Sequence, residues 1–201
     1  MAQNRDYDIP IYSPAARFFH WLTVFLISIQ FPIGLYMTYR AYEMIYVDEK
    51  GETKKGLFDA VTNQLYDSHK LIGLTILTIV LARLIYRLTH GAPPSDRSVP
   101  APLIGIAHLN HWLLYLLLIA VPIGGYIGAS YYGALEPFGF KLPVVTEKDE
   151  KFSETVFAWH ETGAFILLGL IALHITASIY HYFVRRDRVV ERMLPKKTTV
   201  V

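Results

Sequence analysis

Eight histidines punctuate this sequence: His20, His69, His90, His108, His111, His160, His174 and His181. A neutral imidazole is the commonest protein ligand for a metal and a carrier of protons near neutral pH. What makes these eight informative is their solvent. His90 lies in the segment Thr-His-Gly-Ala-Pro-Pro and reads as a solvated loop residue. The other seven fall in, or at the ends of, long apolar stretches. An ionisable side chain inside a membrane span is costly to bury unpaired, which makes it a functional hypothesis by default. One such histidine is easily a hydrogen-bonded core residue; seven in one small chain are not.

Spacing sharpens the reading. His160 and His174 are 14 residues apart, so on a helix they share a face within about 40°, separated by roughly 21 Å of rise. One helix thus offers two inward imidazoles at two depths. His69 and His160 each open a helix on one side of the membrane, and His20 opens a helix on the other. The arithmetic gives an outer pair, His69 with His160. It also gives an inner pair, His20 with a further imidazole, for which His174, His181, His108 and His111 remain candidates. Two axial histidines at each of two levels is what bis-histidine b-type haem requires. Other metals fit less well. A structural zinc site wants four ligands, often cysteine, and the chain has none. A di-iron carboxylate site wants acids inside the bundle, and the apolar stretches hold almost none. The missing cysteines also exclude disulfides, iron–sulfur clusters, catalytic thiols and covalently attached haem. Gly73 and Gly163, close behind His69 and His160, are expected to leave room for a flat ring, as are Ala177 and Ser178 after His174.

The elements that hold these residues follow from the charge map. Hydrophobic residues make up 53% of the 201-residue chain and charged residues 18%, against about 25% charge in soluble domains. Residues 18–39, 98–135 and 162–184 carry no Asp, Glu, Lys or Arg, and a fourth apolar run ends at Arg83 and Arg87. A span takes roughly 20 mostly apolar residues. The pattern predicts an all-α integral membrane four-helix bundle, a single membrane domain over 1–201, with helices near 15–39, 66–88, 104–129 and 156–184. The first helix is too long for a signal peptide and lacks a small-residue cleavage site. No internal repeat stands out. The net charge of +2 gives no argument for nucleic acid. With four spans, both termini and the loop between helices two and three share one side. That side holds eleven Lys and Arg against five Asp and Glu; the other holds eight against twelve. The positive-inside rule puts the basic side, and both termini, in the cytoplasm.

The chain resembles the prokaryotic cytochrome b561 family, and within it the superoxide oxidase branch. The likeness rests on ordered short stretches: His20-Trp21-Leu22, Ser68-His69-Lys70-Leu71-Ile72-Gly73, Ala82-Arg83-Leu84-Ile85-Tyr86-Arg87-Leu88, and Gly105-Ile106-Ala107-His108-Leu109-Asn110-His111. It continues through Ala120-Val121-Pro122-Ile123-Gly124, Phe138-Gly139-Phe140-Lys141-Leu142-Pro143, Trp159-His160-Glu161-Thr162, Ala172-Leu173-His174, His181-Tyr182-Phe183 and Met193-Leu194-Pro195-Lys196-Lys197. The resemblance implies two haem b groups, with His20 and His174 on the inner iron and His69 and His160 on the outer. It implies electron flow from superoxide on the periplasmic side to ubiquinone, with oxygen as product, in the bacterial inner membrane. No side chain is then catalytic in the bond-making sense, because transfer to a six-coordinate haem is outer-sphere. Arg17, Arg83 and Arg87 are placed for inner propionates or quinone, and His108, His111 and His181 for the quinone side. Lys70 and Lys141, with Arg40, are the candidates to steer an anion through an outer region that is otherwise acidic. Trp159 is a candidate lining for a haem pocket, and 131–143 a cap over the outer haem. A competing reading is a cytochrome b subunit that passes electrons between a periplasmic protein, or a hydrogenase or dehydrogenase partner, and quinone. A third is a haem-free transporter that uses its histidines for protons.

Overall fold

The computed structural model describes residues 11–96 and 99–194. Four long helices dominate it: α1 Pro14–Thr38, α2 Ala60–His90, α3 Ala101–Tyr132 and α4 Glu150–Tyr180. All four are long and apolar enough to cross a membrane. Each is longer than a bare hydrophobic span, or shifted from it, because polar caps carry the helix past the apolar run. Ser13 accepts from the Ala16 N–H at the start of α1. Asp59 accepts from Thr62 N–H at α2, and Asp149 from Phe152 N–H at α4. These caps satisfy amides that would otherwise be orphaned. They start α2 six residues earlier than the expected 66, and α4 six earlier than 156. At the far end α2 runs through His90, expected in a loop; its ring instead stacks on Tyr86, centroids 4.2 Å apart.

α1 packs against α2, α3 against α4, and α2 against α3. The core is Ile76 and Val80 from α2, Tyr115 and Leu118 from α3, and Leu167 from α4, flanked by Leu26, Ile27 and Phe31 of α1. Most other large apolar side chains face outward. That is the inverse of a soluble bundle and the expected state against lipid tails.

One end of the bundle is closed by a feature absent from the sequence reading. A π-turn, Tyr39–Glu43, leads into an antiparallel hairpin of β1 Ile45–Val47 and β2 Thr53–Lys55. Asp48 makes its turn, accepting from the amides of Lys50 and Glu52 and pairing with Lys54 at 2.5 Å. The hairpin is anchored by Arg40, which donates to Thr62 Oγ1 at 3.0 Å and to Asp59 at 2.7 Å. At the opposite end the two ends of the described residues meet. Tyr12 N–H donates to Arg192 O, Arg17 to Leu194 O at 2.7 Å, Trp21 to Met193 O at 2.9 Å, and Arg192 to Pro94 O at 2.7 Å. Segments 11–13, 91–96 and 191–194 therefore form one face, as four spans require. Arg5, Arg97, Lys196 and Lys197, which helped to orient that face, lie outside the described residues.

Candidate functional site: two levels of paired imidazoles

At the hairpin end, α2 presents His69 and α4 presents His160, with ring centroids 6.1 Å apart. Toward the opposite end, α1 presents His20 and α4 presents His174, 6.2 Å apart. An imidazole bound through one nitrogen to a metal at roughly 2 Å has its centroid roughly 3 Å from that atom, so two on opposite sides stand roughly 6 Å apart. Edge-to-face packing alone reaches the same range; the surroundings of the outer pair decide between the two. His160 Nδ1–H donates to the Val121 carbonyl at 2.8 Å, which leaves Nε2 as the lone-pair nitrogen. A second hydrogen bond of this kind is how a ligating histidine is held and its tautomer set. Gly125 backs the same ring: a Cβ there would sit 2.9 Å from His160 Cε1 and Nδ1. Gly34 of α1 does the same for His69, where a Cβ would come within 3.0 Å of Cε1. His69 Nδ1 and the Gln30 Oε1 are both buried without a partner, while Gln30 Nε2 donates to His69 O at 3.0 Å. The donor set is imidazole-only, seated on glycine and aimed inward, and it fits b-type haem. Among the described residues no cluster of three or more His, Asp or Glu is arranged for a bare metal ion.

The inner level is less symmetric. Arg83 Nη1 stands 3.2 Å from His20 Nδ1. A guanidinium only donates, so Nδ1 accepts in this arrangement. A ligand at His20 Nε2 leaves Nδ1 protonated and would turn Arg83 toward another acceptor. His111 lies against His174 with centroids 5.2 Å apart. Arg83 and Arg87 both cover the Tyr115 ring, at 5.5 and 5.9 Å, and Arg87 covers Trp112 at 5.8 Å. These two arginines also line a cleft with Tyr12, Tyr86 and Met193.

The structure brings Arg83, Arg87 and His111 together beside the inner pair. It does not bring His108 or His181 into that group. His108 is exposed, with Ser95 Oγ at 3.4 Å. His181 donates Nδ1–H to Asp187 at 2.6 Å, and Arg185 shares the same carboxylate at 3.0 Å. Arg17 spends its guanidinium on the Leu194 carbonyl. Burial alone would raise the Asp187 carboxyl, but its bonds to His181, Arg185 and the Val189 amide hold it below the ordinary carboxylate range.

Three outer expectations need correcting. The glycines that face the outer rings are Gly34 and Gly125 on neighbouring helices; Gly73 instead faces Gln30, and Gly163 faces Val121. The sequence signal for them is a glycine two or three residues after an intrahelical proline, Pro32 or Pro122. Trp159 is 65% exposed and points away from the bundle interior. The three cations expected to form a positive mouth each meet a carboxylate: Arg40 with Asp59, Lys70 with Asp67 at 3.1 Å and Lys141 with Glu136 at 3.8 Å. Asp67 also accepts from Phe138 N–H at 2.9 Å, and this ties the 133–149 loop to the start of α2 near His69.

The model of the prokaryotic cytochrome b561 family matches residues 11–196. The chain belongs to that family. Relatives include a probable superoxide oxidase of Yersinia pestis, CybB, 34% identical over 133 residues, 64% of this chain and 74% of the relative. Cytochrome b561 homolog 1 of Escherichia coli is 26% identical over 187 residues, 92% of this chain and 98% of the relative. A cytochrome b562 of Cereibacter sphaeroides is 27% identical over 155 residues, 72% of this chain and 80% of the relative. The chain is thus a multi-pass membrane electron-transfer protein of the cytochrome b561 family, and the family implies haem b.

Proposed function

We propose that this cytochrome carries two haem b groups and passes electrons from superoxide at the hairpin end to ubiquinone at the opposite end. The observation that carries the proposal is the pair of imidazole pairs, 6.1 and 6.2 Å across, at two levels of one apolar bundle. Its support from relatives is the printed name of the Yersinia pestis protein. When bound, the haems supply two one-electron stations that together span most of the hydrocarbon. His69 and His160 hold the outer group, and His20 and His174 the inner. The Val121 carbonyl, Gly34 and Gly125 fix the outer ring orientations. Arg83 and Arg87, half-buried against the Tyr115 and Trp112 rings, supply positive charge for inner propionates or for a reduced quinone. Beside the Arg83 cleft, a second cleft of about 420 Å³ runs between Tyr12, Ser13, Tyr86, His90 and Pro93. That is within the size range of small-molecule sites, and we place the quinone head there. We place the face formed by segments 11–13, 91–96 and 191–194 in the cytoplasm and the hairpin in the periplasm of the inner membrane.

The test is superoxide-dependent reduction of a ubiquinone analogue by the purified protein alone, with haem content measured by pyridine haemochrome. Quinone reduction and two haems per chain are the expected result. Haem without quinone reduction would favour the second reading, a subunit that takes electrons from a periplasmic protein. That reading has an observation of its own: the hairpin side carries twelve Asp and Glu against eight Lys and Arg, which suits a basic protein surface better than a small anion. A colourless protein would remove both.

A further inference from the structure

The β-hairpin carries a bare apolar face that plays no part in the site described above. β1 runs Ile45, Tyr46, Val47. Ile45 is 69% exposed and Val47 66%, while Tyr46 between them is half-buried. Successive strand residues point to opposite faces, so the two aliphatic side chains share one face. Strand pairing puts Lys55 opposite Ile45 and Thr53 opposite Val47, both exposed. A two-stranded hairpin on its own is marginal in water, and a strand that shows bare aliphatics invites association. The backbone holds this hairpin on the end of α1. Gly56, at φ +85°, donates its N–H to Met44 O at 2.9 Å, and Leu57 N–H donates to Arg40 O at 2.7 Å. A Cβ at Gly56 would stand 2.6 Å from the Ala41 carbonyl, so the hairpin's root closes backbone to backbone.

Lipid is the cover that fits this face. The hairpin grows out of the lipid-facing surface of the bundle. Tyr36, Tyr39 and Tyr42 are exposed at helical spacing along the end of α1 and its π-turn, and Phe58 is exposed at the hairpin's other root. The Tyr42 and Phe58 rings have centroids 6.2 Å apart, and Phe58 stacks on Tyr66 at 6.4 Å. Tyrosines at the ends of spans mark the level of the lipid headgroups. Ile45 follows Tyr42 by three residues, at most about 11 Å of chain, and the headgroup layer is roughly 5–7 Å deep on each side of the hydrocarbon. A hairpin lying along the surface keeps both aliphatic side chains in that layer. The charges around the face are matched within the chain. Residues 43–55 hold three Lys against four Asp and Glu. Lys55, on the apolar face, pairs with Glu43 at 2.7 Å, Lys54 pairs with Asp48, and Arg40 with Asp59. A partner recognised by charge finds little to read there. A headgroup layer accepts aliphatics below and paired charges above, and the Lys55 stem can lie over the same apolar surface with its ammonium in water.

We propose that the hairpin is a membrane-surface foot: Ile45 and Val47 insert among the phospholipid headgroups and upper acyl carbons, and they hold the α1–α2 connection on the bilayer. This does not depend on the haem reading.

The chain has no cysteine, so a single introduced thiol takes a nitroxide label at one place only. Ile45→Cys, Val47→Cys and, as the aqueous reference at the turn, Glu49→Cys are labelled in the full-length protein. Each is reconstituted into vesicles of phosphatidylcholine and phosphatidylglycerol. Power-saturation EPR compares collisions with oxygen, which partitions into lipid, and with a nickel chelate, which stays in water. The ratio of oxygen to chelate access should be several-fold higher at 45 and 47 than at 49. An equal or lower ratio overturns the proposal. Protection of 45 and 47 from both reagents also overturns it, because that is the mark of a protein partner or a second copy on this face. A nitroxide has some affinity for lipid of its own, so Ile45→Thr with Val47→Thr applies the test without a label. Threonine keeps the β-branched shape and the strand preference but not the apolar surface. Hydrogen exchange across 44–56 in the same vesicles should quicken several-fold in this double variant. Unchanged exchange there overturns the proposal, since a face standing in water loses nothing by the change.

Discussion

At the residue scale the outer site depends on atoms that are missing. Gly34 and Gly125 let two imidazoles lie against helix backbone, and a methyl group at residue 125 would stand 2.9 Å from two atoms of the His160 ring. Real Cβ atoms do not tolerate that separation, so the ring must move and the Val121 hydrogen bond must lengthen. Overpacking of this kind costs about 1–3 kcal/mol. We expect Gly125→Ala to lower outer-haem content several-fold and the thermal midpoint with it. Gly169→Ala is the control: open space surrounds that position, and alanine is about 1 kcal/mol better in a helix interior. It should leave haem content unchanged and hold or raise the midpoint. The histidines themselves were legible in the sequence, because a polar ring in an apolar run stands out at once. The glycines were not, because which helix lies behind a ring is a property of packing rather than of the ring's own helix.

The elements tell a similar story. Hydropathy revealed four spans because lipid demands them, but it measured the apolar stretch and not the helix. Asp59 and Asp149 carry α2 and α4 about a turn and a half further. The β-hairpin went unread between two strong helical signals, although Ile45-Tyr46-Val47 followed by Asp-Glu-Lys-Gly is a strand and a turn. Its anchor is Thr62, fully buried, which donates to Leu57 O at 2.8 Å and accepts from Arg40. Thr62→Val keeps the shape and removes both bonds, leaving a part-buried carbonyl and a guanidinium N–H unmet. A loss of about 1–3 kcal/mol is expected, read as faster hydrogen exchange across 39–57 with α3 and α4 unaffected. At the other end, Asp187 holds His181, Arg185 and the Val189 amide together. Its pKa is depressed in the folded state. The stability it contributes is therefore fully present above the ordinary carboxylate value of about 4 and is lost as pH falls through the lower folded value. Exchange across 181–194 should accelerate below about pH 4, and Asp187→Asn should produce the same acceleration at pH 7.

For the whole molecule the distribution of charge matters more than its total. Lys70 is paired with Asp67, and the exposed Lys141 has Glu136 3.8 Å away, so each acid offsets part of the attraction these cations offer an approaching anion. If superoxide is the donor, removing those acids should help it. Asp67→Asn with Glu136→Gln is expected to raise the second-order rate of haem reduction by superoxide a few-fold at low ionic strength. The gain should vanish at high salt, where the Debye length shrinks to a few Å. Stopped-flow absorbance over a salt series measures it, and a rate indifferent to both salt and substitution would point to a protein donor.

The angle between the paired rings has a spectroscopic consequence. The His20 and His174 planes cross at 90°, and those of His69 and His160 at 82°. If these pairs hold haem iron as proposed, crossed imidazoles would donate into the two dπ orbitals of a ferric ion almost equally and leave the orbital moment unquenched. Frozen samples of the oxidised cytochrome should therefore show strongly anisotropic low-spin resonances at low field, in place of the compact rhombic triplet that parallel rings produce.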